Sequence, residues 1–195
     1  MTNIKILPGL IDEHTEIFEH DSKAFAIHKG QTIDFLDLPE EYKNTIWKDI
    51  LNEEGVFEIL EVNGFISKES KLEKVAICRY GRLDSKADIS DDYQLSHEHY
   101  DCAVRESCPM EGIVCKSVTY NGHILSPFEL KMISLLATED TLPVVAEKMK
   151  VCQNTFDSRK KVLFEKFGVL SRPRLVALAF FANLINPSLC FDKPV

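Results

Sequence analysis

Cys102, Cys108 and Cys115 place three thiols within 14 residues, in the run Cys-Ala-Val-Arg-Glu-Ser-Cys-Pro-Met-Glu-Gly-Ile-Val-Cys. Thiolates ligate structural zinc and iron–sulfur clusters, and zinc takes four sulfur or nitrogen donors in a tetrahedron. Cys78 supplies a fourth thiol, and His97 and His99 offer imidazoles. Cys108-Pro109 and Gly112 suit the tight turns of such a site. The gaps of five and six residues are wider than the roughly two to four of zinc knuckles, and match no standard iron–sulfur spacing. The set Cys78, Cys102, Cys108, Cys115 therefore reads either as a zinc or iron–sulfur centre or as small buried hydrophobes, a common role of free cysteine.

The second candidate chemistry is electrostatic. Residues 125–195 carry 10 basic and 7 acidic side chains, net +3, whereas residues 1–124 carry 13 and 24, net -11, within an overall charge of -8. That asymmetry suggests two jobs, the basic part being suited to a polyanion. Catalytic chemistry finds less support, and an enzyme is not expected. There is no Gly-rich phosphate loop, no His-Glu-x-x-His and no Gly-x-Ser-x-Gly. His97-Glu98-His99 reads as surface, and the front-half carboxylates as a solvated face. The strand–helix alternation of a receiver domain with a phosphoacceptor aspartate is missing as well.

Stepwise along the chain, the elements that would position these groups differ between halves. The apolar share of 45% and charged share of 28% are those of a globular chain and exclude a disordered one. No apolar run reaches the roughly 18 residues of a membrane span. Asp12 and Glu13 close behind Lys5 argue against a signal peptide, so a cytoplasmic protein with reduced thiols is expected. Tyr42, Ile46, Trp47, Ile50 and Leu51 fall at helical spacing and predict a helix over 40–51. Val56 to Val62 is rich in strand formers and predicts a strand, with a second at Val75 to Cys78. Phe18, Phe25 and Ile27 show no firm period, and residues 81–100 read as a solvated loop. The front, 1–120, is expected to be an acidic α+β sensory or interaction domain.

Asn121-Gly122 marks a turn, after which the pattern is helical. Ser126-Pro127-Phe128-Glu129 is a helix start with a capping box. Leu130, Ile133, Leu136 and Ala137 form one apolar stripe. A short helix follows from about Thr141 to Lys150, and a third from Gln153 to a glycine stop at Gly168. A fourth begins after Ser171 and runs to Ile185, apolar on most sides, so part of it is expected to meet the front domain or a second subunit. Two short helices joined by about three residues, the second with Arg159, Lys160, Lys161 and Lys166 outward, make a helix-turn-helix. A helix of this kind fits the major groove, and flanking cations neutralise phosphates.

Leu125-Ser-Pro-Phe-Glu129, Leu135-Leu136-Ala137, Val145-Ala146, Met149, Val151, Asn154-Thr155-Phe156, Lys166-Phe167-Gly168-Val169 and Ser171-Arg172 follow the order and spacing of the LuxR-type helix-turn-helix domain. The tail, 124–188, thus resembles the DNA-binding module of a transcriptional regulator. The resemblance implies an all-α four-helix domain whose third helix reads the groove through Asp157, Ser158 and Lys161. It places Asn154 and Thr155 at the helix start, and Lys160, Lys166 and Arg172 as contacts to the DNA backbone. Glu139, Pro143-Val144 and Asp157 depart from the family's pattern. A carboxylate can accept from cytosine N4 but repels phosphate.

The function expected is that of a DNA-binding regulator acting on double-stranded DNA as a homodimer, governed by the front domain, whose acidity could mask the basic face. The rival, favoured by Asp157 and the net acidity, is a protein-interaction module with a degenerate helix-turn-helix that docks RNA polymerase or another regulator. A metal- or redox-responsive switch at the cysteines is compatible with the first.

Overall fold

Two tight hairpins open the chain. In the computed structural model, which describes residues 6–185 apart from 101 and 103, strands β1 (Thr15–His20), β2 (Lys23–His28) and β3 (Gln31–Asp34) form an antiparallel meander in the order β1-β2-β3. Asp21-Ser22 and Lys29-Gly30 make the turns, all four residues with positive φ, as two-residue turns matched to strand twist require. Ile17 lies opposite Ala26, and Glu19 opposite Ala24. The small side chains let helices approach that face. The strands were not visible as a period because polar residues interrupt it: Thr15 and Glu16 are as deeply buried as Ile17.

Helix α1 (Glu40–Asn52) matches the expected helix, with Tyr42, Ile46 and Ile50 buried. The two strands expected at 56–62 and 75–78 are both helical. Helix α2 (Val56–Val62) buries Val56 and Leu60, one turn apart, and leaves Val62 outside. Helix α3 (Lys68–Tyr80) starts where the Ser67 hydroxyl accepts from the Ser70 N–H at 3.0 Å. It buries Leu72, Val75, Ala76 and Arg79 at helical spacing. Burial of a 3.6-residue stripe overrode the local β-propensity of Val and Ile. Within 81–116, the described residues hold one turn of 3-10 helix, Arg105–Ser107, and isolated bridges, Ile89 pairing with both Thr15 and Leu95. The loop expected at 81–100 holds no helix or strand, but it is not uniformly solvated: Asp88 and His99 are buried.

One buried cation ties these parts together. The Arg79 guanidinium, fully enclosed, meets Asp49 Oδ2 at 2.5 Å and Glu53 at 3.0 Å through two nitrogens, while its Nε donates to the Val114 carbonyl at 2.8 Å. Lys116 also pairs with Glu53. Helices α1 and α3 and the cysteine segment thus converge on one side chain.

The chain divides into two compact units, Met1–Lys116 and Ser117–Val195. Asn121-Gly122, expected as a turn near the joint, is the turn of a hairpin in the second unit that the sequence did not show, β4 (Val118–Tyr120) and β5 (His123–Leu125). Helices α4 (Pro127–Leu136), α5 (Leu142–Lys148), α6 (Gln153–Phe167) and α7 (Arg172–Phe181) follow. Their core is Leu130, Ile133, Leu136, Val145, Phe156, Leu163, Phe167 and Leu175 among others. The architecture is a small antiparallel sheet with helices, then a hairpin and four more helices: mixed α and β throughout the order of elements.

Removing one partner of an enclosed ion pair leaves an uncompensated charge, which typically costs about 3–5 kcal/mol. Arg79→Ala should destabilise the first unit by that amount. Trp47, the chain's single tryptophan, lies on α1 and reports the unfolding by fluorescence. A loss below about 1 kcal/mol, the worth of a surface pair, would show that the network is dispensable.

Candidate nucleic-acid interface

The second unit builds its outer surface from helix ends inward. Ser126 caps α4 with a reciprocal box: its N–H donates to Glu129 at 2.9 Å and its hydroxyl accepts from the Glu129 N–H at 3.3 Å. Helix α5 stops at Lys150, held at φ +55, with the Val151 N–H on the Ala146 carbonyl at 3.2 Å. Such a left-handed cap turns the chain sharply. Helix α6 begins two residues later and ends at Gly168, φ +64, where the Val169 N–H returns to Phe164 at 3.0 Å. Phe156, Leu163 and Phe167 seat it on the core. Tyr120 stacks on Phe167 at 4.1 Å and brings the hairpin against its last turn.

This seating leaves Asn154, Asp157, Ser158 and Lys161 exposed. They fall at i, i+3, i+4 and i+7, one stripe of the helix. The expected groove-reading residues Asp157, Ser158 and Lys161 therefore share one outward face with Asn154, expected to meet phosphate at the helix start, and Thr155 is half-buried beside it. Asp157 is not an isolated charge. Lys160 meets its Oδ1 at 2.7 Å and the Gln153 amide its Oδ2 at 3.0 Å, and these bonds hold the carboxyl below its usual range. The pair is locally neutral, so it neither attracts nor strongly repels phosphate.

Lys161, expected to read the groove, makes no ion pair among the described residues. The expected backbone contacts Lys160, Lys166 and Arg172 are all engaged within the chain, Lys160 by Asp157. Lys166 bonds Glu129 at 2.7 Å and the Ile124 carbonyl at 3.0 Å, latching the end of α6 to the start of α4. Arg172 donates to the carbonyls of Leu136, Thr138 and Asp140 at 2.6–2.8 Å. Those are free carbonyls at and beyond the end of α4. Lys166 and Arg172 thus hold the scaffold. Sequence reasoning missed Arg159 as a site residue: it is exposed, lies over the Phe128 ring at 4.2 Å and, with its neighbour Ser158, lines a cleft of about 280 Å³ between α6 and the start of α4. Its only signal was a place in the basic run.

The first unit holds three polar centres. Asp49, Glu53 and His97 bring their ligand atoms within 4.8 Å of one another, and His97 Nε2 lies 3.0 Å from Asp49. Arg79 and Lys116 already neutralise the two carboxylates, so a cation would have to displace them. Burial opposes ionisation of Asp49, but the His97 hydrogen bond and the Arg79 charge outweigh it and bring the carboxyl down to about 2. The second centre is acidic. Glu16 and Asp88 are 0% and 1% exposed, and Glu98 bonds the Arg82 N–H at 2.5 Å. Burial, with repulsion from neighbouring carboxylates including Asp84, raises all three, Glu16 to about 8 and Glu98 to about 9. These acids were expected on a solvated face; what hid them is that an isolated Glu carries no sequence sign of burial.

The third centre is the cysteines. Cys78 and Cys115 are buried in the core of the first unit, with half-buried Cys108 packed against it, and Cys102 is half-buried. His99 does not join them: burial and the charges of Arg105 and Arg82 lower it to about 3, and its Nδ1 faces Arg105 at 3.3 Å. His97 is engaged by Asp49. Cys152 is exposed at the start of α6, and Cys190 lies outside the described residues.

Two outcomes follow. Lys161→Glu should leave thermal unfolding unchanged within about 0.5 kcal/mol, whereas Arg172→Ala, which strands three carbonyls, should cost about 1–3 kcal/mol; equal effects would contradict the division of roles. A carboxyl raised by folding binds its proton more tightly in the native state, so its contribution is full below the unfolded value near 4.3 and is lost as pH rises through the folded one. The first unit should therefore lose stability between about pH 5 and 9. Glu16→Gln should flatten that slope in denaturation series at several pH values, and an unaltered slope would remove Glu16 as its source.

No protein-family model, curated protein or solved structure matches this chain.

Proposed function

We propose that the chain is a DNA-binding transcriptional regulator whose α6 enters the major groove, with the first unit acting as its sensory or interaction part. The observation that carries this reading is the exposed stripe Asn154, Asp157, Ser158 and Lys161 on a helix whose opposite side is core. Asn can read adenine bidentately, Ser adapts to either edge, and Asp157 can accept from cytosine. Lys161 and Arg159 supply the phosphate contacts, and the start of α6 offers N–H groups to a further phosphate. The LuxR-type resemblance of the tail supports the same assignment. With few free cations, each copy binds weakly, and two half-sites would multiply the affinity. Phe180 and Phe181 at the end of α7 are 50% and 83% exposed, apolar surface of the kind a second copy would cover.

A second reading draws on the Asp157–Lys160 pair and the overall acidity: the same face could dock a protein, such as a polymerase subunit, in place of DNA. Fluorescence anisotropy of the full chain on a labelled random-sequence duplex separates the two. Groove binding predicts affinity falling steeply between 50 and 200 mM salt, roughly 0.9 in log–log slope per phosphate neutralised. It also predicts about tenfold weaker binding for Lys161→Glu, a size set by one lost charge contact. No association at low salt would overturn the DNA reading in favour of the protein partner.

A further inference from the structure

We propose that residues 81–89 are a proton-gated strap on the outer edge of β1, closed while the enclosed carboxyls of Glu16 and Asp88 carry protons and released when they ionise. The sheet order β1-β2-β3 leaves β1 at an edge. Successive residues of an antiparallel strand turn their N–H groups to opposite sides. On β1 the outward donors are Thr15, Ile17 and Glu19, and the strap meets all three. The Thr15 N–H donates to the Ile89 carbonyl at 2.8 Å, and that of Glu19 to the Gly81 carbonyl at 2.8 Å. Between them, the Ile17 N–H donates to Asp88 Oδ2 at 2.7 Å. A side-chain carboxyl thus stands where a neighbouring strand would present a peptide carbonyl. In return, the Asp88 and Ile89 N–H groups donate to the Thr15 carbonyl at 3.1 Å, and the Asp84 N–H to Glu16 Oε1 at 2.6 Å.

Little else holds the strap down. Ile89 is its single buried apolar side chain, and Leu83 is exposed. A segment with few buried apolar contacts opens locally, without unfolding the body it covers. Glu16 and Asp88 are nonetheless 0% and 1% exposed. Glu16 Oε2 has no hydrogen-bond partner among the described residues. A neutral acid is tolerated in such a place, whereas a carboxylate there is desolvated and short of a donor. Protonation keeps both bonds to the main chain, because the carbonyl oxygen of a neutral acid still accepts.

The ionisable groups around the pair add to this. From the strap and the chain beyond it, Asp84 repels Glu16, Glu98 repels Asp88, and Arg82 acts on Glu98. From α3, Tyr80 brings an enclosed hydroxyl without a partner, and Arg79 is committed to Asp49, Glu53 and the Val114 carbonyl. From β2, His28 bonds the Thr15 hydroxyl at 2.9 Å, and Lys23 is exposed at the turn. The Tyr100 hydroxyl donates to Glu19 at 2.9 Å. Burial and the neighbouring carboxylates push both acids up, Glu16 to about 8. Each therefore holds the strap fully below its unfolded value near 4, and the hold is lost as pH rises through the folded value. Opening bares three donors of an edge strand, so two protons decide whether that edge is closed. The strap lies within the first unit and stands whether or not α6 binds DNA.

Amide hydrogen exchange of the ¹⁵N-labelled full chain between about pH 6 and 8, corrected for the intrinsic base-catalysed rate, tests the strap. Protection of the Thr15, Ile17 and Glu19 amides should fall by at least about tenfold, while Ile46 of α1 and Val75 of α3 keep theirs. Glu16→Gln and Asp88→Asn retain an acceptor oxygen and remove the charge; each should make the fall shallower, and together they should abolish it. Trp47 fluorescence shows whether each variant is folded, and the wild-type comparison of edge with core needs no variant. Edge protection that stays constant with pH, that falls in step with Ile46 and Val75, or that falls as steeply in folded Glu16→Gln, overturns the proposal.

Discussion

The buried guanidinium of Arg79 is the constraint on which the first unit depends. A charge enclosed so completely is tolerated only when nearly all its donors are met. Asp49 lies in the last turn of α1 and Glu53 caps its end, so one helix terminus supplies both carboxylates; the Val114 carbonyl supplies the remaining partner. This fixes the distance between α1 and α3 and also anchors the residue before Cys115. The order of the cysteine segment is therefore set partly by an ion pair whose cation lies 35 residues before Val114 and whose carboxylates lie earlier still. The same network explains why Asp49 and Glu53, grouped with His97 like metal ligands, are better understood as counter-ions of Arg79 and Lys116.

The second unit uses the same device more openly. Arg172 and Lys166 spend their charges on main-chain carbonyls and on Glu129, and so fix α4, α6 and the start of α7 in one frame. Rigidity at that frame is what leaves the α6 stripe presented as a fixed pattern. The consequence is selective: of the cations that made the tail basic, those closest to the scaffold hold it together, and those on the outer face remain for a ligand. Net charge by itself described neither group.

The second unit was the more legible in the sequence because its signals are local. Ser126-Pro127 with Glu129, the apolar stripes, and Gly168 each act within four residues of themselves, and the structure shows the corresponding cap, helices and left-handed stop. The first unit is held by long-range contacts that leave weaker traces. Its sheet carries Glu16 and Thr15 inward, which breaks the alternation. Its α2 is a run of Val, Phe, Ile and Leu whose helical burial shows only once α1 and α3 are in place. The four cysteines could be listed, yet only the fold shows that Cys78 and Cys115 are buried in one core. Arg159 and the buried carboxylates were missed because their roles come from neighbours, Phe128 in one case and enclosure in the other.

The account turns on whether the outward stripe of α6 is where a duplex binds. Amide NMR of the ¹⁵N-labelled full chain, titrated with a short DNA duplex at low salt, tests this directly. The account predicts shifts concentrated at Asn154, Asp157, Ser158, Arg159 and Lys161, with the core residues Phe156 and Leu163 moving less. Shifts spread evenly over the surface, or confined to the first unit, would contradict it.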